Sequence, residues 1–184
     1  MSLTVSPRRR DVAVSPLAIR AIAPAPQVRV HRVTRAQAAA LMEVCDRHMA
    51  ELPTGASGQR SAGGRVLELM EALFEAPLRA WAWIAERDGV PQGYAFGTVG
   101  FSMVERAYYF NLESLFVAAD ARPSGAASAL FDAARAMADE LGCIDLRWQV
   151  PLAQEGALAL PGQAAAATMI QYVFPTSIRT LRDE

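Results

Sequence analysis

Residues 111–150, NLESLFVAADARPSGAASALFDAARAMADELGCIDLRWQV, read in unbroken order as a strand, a turn, an amphipathic helix and a second strand. The apolar run Leu112, Leu115, Phe116, Val117 has strand character, and the turn residues of ADARPSG, 119–125, separate it from an alanine-rich helix expected over 124–141. Helical spacing puts Leu130, Ala133, Ala134, Met137 and Leu141 on the buried face and leaves Asp132, Arg135, Asp139 and Glu140 to solvent. The first amides of that helix lack intrahelical acceptors and stand at the positive end of the helix dipole. Small residues let an anionic group, a phosphate above all, approach the main chain there, and Arg122 stands beside them.

The spacing Arg122-x-x-Gly125-x-Ala127 resembles the Arg/Gln-x-x-Gly-x-Gly/Ala signature of the GNAT superfamily of acyl-CoA-dependent N-acyltransferases. The strand before it, Leu112-Glu113-Ser114-Leu115-Phe116-Val117, is similar to the Leu-Glu-Asp-Leu-Phe-Val strand of the diamine and polyamine acetyltransferase branch. Gly142-Cys143 and the stretch LRWQV at 146–150 match where that branch closes its helix and runs its next strand, and WIAERDGVPQGYA at 83–95 resembles the hairpin that most members carry upstream. The resemblance covers residues 28–150, and the ordering of its parts carries more of it than any single motif.

Membership of this kind implies an α/β (α+β) fold with a mixed sheet and helices on both faces, in the order strand, two helices, three strands, a helix and a further strand. It implies acetyl-CoA as acyl donor. The pantetheine arm would pair with the main chain along Leu115, Phe116 and Val117, where the fourth and fifth strands splay apart. The pyrophosphate would rest on Ser124, Gly125, Ala126 and Ala127 beside Arg122, with Gln154 near the position of a family asparagine.

The chemistry implied is direct attack of a neutral amine on a thioester, which needs a base for the amine proton and is helped by an acid at the departing thiolate. Glu113, which corresponds to the glutamate of the family strand, is the candidate base; its other reading is a solvated or ion-paired strand residue. Leu160-Pro161 falls where the branch has a Phe-Tyr pair, so Tyr172, in the apolar run 169–174, is the candidate acid, with packing in a final strand as the alternative. Two further departures matter. Pro123 has no N–H to offer a phosphate, and Ser114 replaces an acidic residue that would favour a polyamine.

The rest of the chain is consistent with one domain over 27–184 preceded by a tail over 1–26 that is rich in proline, serine and arginine. Residues 28–33 alternate as a half-buried strand, Thr34 and Gln37 suit a capping box, and Leu41, Cys45, Met49 and Leu52 mark the apolar stripe of a first helix. A loop over 54–64 leads to a second helix over 65–74, with Val66, Leu69, Met70 and Leu73 on one face. The 184 residues are 52% hydrophobic and 20% charged with a net charge of −1, so no electrostatic footprint of a nucleic-acid binder is present. Cys45 and Cys143 have no metal spacing and read as buried thiols, and His31 and His48 as structural or surface groups. No apolar segment suits a membrane span, so a cytoplasmic location is the expectation.

The leading expectation is an acetyl-CoA-dependent N-acetyltransferase acting on a primary amine of a small molecule, with a homodimer formed through the sheet or the apolar 168–174 segment. The alternative is a catalytically degenerate domain of the same fold that serves as a CoA-binding or protein-interaction module. An α/β domain unrelated to CoA is the third reading, because alanine-rich helices readily produce the Arg-x-x-Gly-x-Ala spacing.

Overall fold

A computed structural model describes residues 28–52, 66–122 and 124–150. Its elements run in the expected order: β1 (Arg29–Arg32), α1 (Ala38–Glu51), α2 (Val66–Phe74), β2 (Ala80–Arg87), β3 (Val90–Ser102), β4 (Ala107–Val117), α3 (Ala126–Glu140) and β5 (Leu146–Trp148). The five strands form one sheet in sequence order. β1 to β4 are antiparallel neighbours, and β5 lies parallel to β4. The sheet is therefore mixed, and the long crossover from β4 to β5 carries α3.

Alternation along β2 builds both faces of the core. Trp81, Trp83 and Ala85 join the cluster under α3, while Ala80, Ala82 and Ile84 join the one under α1 and α2. The two tryptophan rings close on Phe110 of β4, with ring centroids 6.0 and 6.2 Å apart. A sheet buried on both sides in this way reads as apolar throughout, as AWAWIAER does.

The helices differ in detail from the expected stripes. α1 buries Ala38, Leu41 and Val44, with Cys45 packed at the edge, while Met49 and Leu52 are only half-buried. Each four-residue step overshoots a helical turn by about 40°, so the Leu41, Cys45, Met49 series winds off the seam, whereas mixed steps of three and four stay on it. Ahead of α1, Gln37 Oε1 accepts the Thr34 N–H at 3.1 Å, the reach-back half of the expected capping box. In α2 Leu73 is buried and Leu69 packs beside it, but Val66 is exposed. α3 buries Ala126, Leu130, Ala134 and Ala138, and Leu141 is exposed because the helix ends at Glu140 in a turn through Gly142. No described helix is long and apolar enough to cross a membrane.

The pairing of β3 with β4 slips once. Phe96 lies opposite Ser114 and Gly97 opposite Leu112, so Glu113 is an extra residue in β4, a β-bulge. Leu112 and Leu115 both pack under α3, three residues apart, which leaves Glu113 and Ser114 together on the face of α1 and α2. Gly97 is required at this point, since a Cβ there would stand 2.4 Å from Phe110 Cε1. Phe110 is fully buried and cannot step aside. Gly97→Val is expected to lower stability by about 1–3 kcal/mol, read as a lower urea midpoint with an unchanged slope.

Candidate active site

β4 and β5 pair over three positions only, from Phe110 opposite Leu146 to Leu112 opposite Trp148. Beyond Leu112 the strand continues for five residues with no partner on that side among the described residues. The Ala118 N–H donates to Gln92 O at 2.9 Å, and Gly93 lies opposite Val117. In an antiparallel pair these bonds alternate, so the main chain of Phe116 also faces β3, and the N–H and C=O of Leu115 and Val117 point to the open side. The main chain of Phe116 is thus turned to β3, and that of its two neighbours to the open edge. Phe116 contributes its ring instead, buried on the α1 side of the sheet.

The open edge leads into the turn before α3. Arg122 folds back on it: Nε donates to Val117 O at 2.6 Å, Nη2 meets Glu51 Oε2 at 3.2 Å, and the guanidinium lies 5.8 Å from the centre of the Phe116 ring. Glu51, at the end of α1, also accepts the Ala119 N–H on its other oxygen at 3.2 Å. Gly125 caps α3 in the left-handed conformation at φ 79°, and a Cβ there would meet nothing within 4 Å. The side of the turn that a ligand would approach is therefore open, and only glycine adopts this backbone without strain. Ser124 Oγ accepts the Ala126 N–H at 3.3 Å. Ala126 is buried and Ala127 half-buried against the α3 core.

Glu113 is exposed at the bulge. Its Oε1 accepts hydrogen bonds from Thr98 Oγ1 at 3.1 Å and from Asn111 Nδ2 at 2.5 Å. The carboxylate is thus fixed by its two neighbours on the same sheet face rather than paired with an arginine. Tyr172 and Gln154 lie outside the described residues, as does Pro123. Tyr108 is exposed, with its ring against Phe101, and Tyr109 lies under the Arg147 guanidinium, 4.0 Å from its ring centre. Arg147 is itself held by Asp145 and Glu105. Neither tyrosine is among the groups bonded to Glu113.

The structure adds residues that the sequence reading had set aside. The His48 ring stacks on Phe116 with centroids 4.6 Å apart, and its Nδ1 lies 2.8 Å from the Tyr94 hydroxyl. Burial pulls the His48 pKa below its usual value, with Arg122 acting in the same direction and Glu51 against it. Burial pushes the Tyr94 phenol well up, and Cys45 and Ser114 are its other polar side-chain neighbours. The Cys45 thiol is likewise raised by burial. One signal for Tyr94 was legible in the sequence, since Gly93, Ala95 and Gly97 alternate with Tyr94 and Phe96 and put the aromatic side chains on one face. No local signal links Glu51 to Arg122 across 71 positions. Among the described residues no cluster of His, Cys, Asp and Glu could hold a metal ion.

Comparison with known proteins agrees with this architecture. A ribosomal-protein-alanine N-acetyltransferase from Brucella melitensis biovar Abortus 2308 superposes with a TM-score of 0.63 at 20% identity, covering 82% of this chain and 99% of that one. An aminoglycoside acetyltransferase from an uncultured soil metagenomic sample, in complex with sisomicin, gives 0.65 at 12% identity over 81% and 97%. The aminoglycoside N-acetyltransferase AAC(6')-Iy in complex with CoA gives 0.59 at 17% identity over 83% and 100%. At such identities the likeness shows the fold alone. No curated protein sequence matches the chain significantly. Residues 43–163, more than half of the chain, match the sequence profile of the acetyltransferase (GNAT) family. The open β4 edge, the glycine-capped α3 and the profile match converge on one conclusion: the chain belongs to the GNAT acetyltransferase family.

Proposed function

We propose that the chain is an acetyl-CoA-dependent N-acetyltransferase that acetylates a primary amine of a small molecule by direct attack. The observation that carries this reading is the continuous path from the open-edge main chain of Leu115 and Val117, past Arg122, to the open turn at Gly125. Acetyl-CoA supplies the activated acyl group. Leu115 and Val117 offer amides and a carbonyl to its amide-bearing arm, while Ser124, Gly125, Ala126 and Ala127 surround the helix start that suits its pyrophosphate. Arg122 stands next to both. Glu113, on the acceptor face of β4, is oriented by Thr98 and Asn111 to take the amine proton. Tyr172 and Gln154 remain proposals as acid and cofactor contact, as does a homodimer. The strand resemblance at 112–117 and relatives named as aminoglycoside acetyltransferases support a small polar amine as acceptor, and Ser114 argues against a polyamine.

A second reading, a CoA-binding module without turnover, is favoured by one observation: Arg122 is engaged by Glu51 and by Val117 O rather than presented free. Titration calorimetry with acetyl-CoA addresses both readings. Binding with a Kd in the micromolar range is expected, and Gly125→Trp should remove it, because a large side chain in a left-handed conformation would fill the open turn. No binding at millimolar acetyl-CoA would sink both.

Turnover of a panel of primary amines separates them. Glu113→Gln is expected to lower kcat by about 100-fold or more with the KM for acetyl-CoA unchanged, since a positioned base contributes roughly that much. A wild-type chain that binds acetyl-CoA and acetylates no amine in the panel would favour the silent module.

A further inference from the structure

Tyr94 carries a hydroxyl that is hydrogen-bonded to His48 and has two further polar side chains beside it. Its ring belongs to the core between the sheet and α1, only 6% exposed, yet its oxygen faces His48 Nδ1 at 2.8 Å, with Cys45 and Ser114 beside it. Ser114 is there because of the bulge, which turns it onto the same face as Glu113. His48 is fixed from its other side by stacking on Phe116, and the residue is half-buried. The polar groups around the imidazole are Glu51 on α1, Tyr94 on β3 and Arg122 after β4. A line of polar groups therefore runs from Ser114 on β4, across the diagonal to Tyr94 on β3, and on to the half-buried His48.

We propose that Ser114, Tyr94 and His48 form a proton route out of the acceptor cleft, parallel to the one that Glu113 offers; this rests on the N-acetyltransferase reading. The substrate's ammonium group gives a proton to Ser114 Oγ as the Ser114 proton moves to Tyr94 Oη and the Tyr94 proton moves to His48 Nδ1. The products are a neutral amine and an imidazolium, which returns its proton to water through Nε2. No other reactant is needed. His48 suits the end of such a line because burial keeps its imidazole neutral, so that Nδ1 accepts. Tyr94 suits the middle because its phenol holds its proton too firmly to ionise, and it passes one on only while receiving another.

Tyr94→Phe keeps the ring and removes the relay. With an amine that the wild type acetylates, kcat is expected to fall by about 10-fold or more with the KM for acetyl-CoA unchanged, and the loss should persist on the Glu113→Gln background. Ser114→Ala should behave alike, and Ser114→Thr should restore the rate. A readout independent of turnover is the His48 titration followed by NMR. Loss of the Tyr94 donor should raise its midpoint, because the hydrogen bond favours the neutral ring. Unchanged kcat in Tyr94→Phe, no difference between Ser114→Ala and Ser114→Thr, or an unmoved midpoint would each overturn the route while leaving the enzyme reading intact. A folded wild type that binds acetyl-CoA but acetylates no amine would overturn both.

Discussion

In a strand packed on two faces, every side chain is assigned to a face by parity, and β4 changes parity at Glu113. Phe110 and Leu112 before the bulge, and Leu115 and Val117 after it, all lie under α3. With strict alternation one of these pairs would point to the opposite face, so the extra residue reconciles one strand with one helix. Its cost is met by Gly97, whose missing side chain makes room for the Phe110 ring just where the register slips. The two residues displaced by this solution are Glu113 and Ser114, which stand side by side on the face of α1 and α2. Polar chemistry at the centre of an apolar sheet is thus a by-product of how its core was filled.

The second constraint is the short pairing of β4 with β5. Three residues of β5 join the ladder, and the remaining length of β4 holds polar main chain out to one side. Arg122 covers part of that edge by donating to Val117 O, and Glu51 holds Arg122 while accepting the Ala119 amide. The Glu51 and Arg122 side chains are partly exposed, and an ion pair of that kind contributes about 1 kcal/mol at most. What it supplies is geometry: the last turn of α1 and the turn that precedes α3 are tied to one another across the end of the sheet.

Most of the fold was legible because its signals are local. Alternating tryptophan and alanine in β2, the Asp88-Gly89 turn and the alanine-rich period of α3 each report on a few consecutive residues. The stripe of α1 was misplaced because Leu41, Cys45 and Met49 follow an i, i+4 spacing that drifts around the helix, and only the sheet below selects among drifting faces. The site divides in the same way. Gly125 and Arg122 could be located from spacing, but the bulge could not, since LESLFV is as regular as any strand and the irregularity arises from pairing with β3. His48, Tyr94 and Glu51 escaped for the same reason. Each acquires its role from a partner that lies between 46 and 71 positions away, and residue type alone does not encode such a meeting.

α3 rests on the sheet through Ala126, Ala134 and Ala138, with Leu130 as the one large fully buried side chain in the row. Methyl groups make a thin spacer. They set the separation between helix and sheet near the lower end of what packing permits. Because the first turn of α3 begins at Ala126, that separation also fixes how high the helix amides stand above the edge of β4. The alanines therefore act as a gauge block. Side-chain volume on one face of a helix sets the span between two groups of backbone amides, and each added methylene would lengthen it.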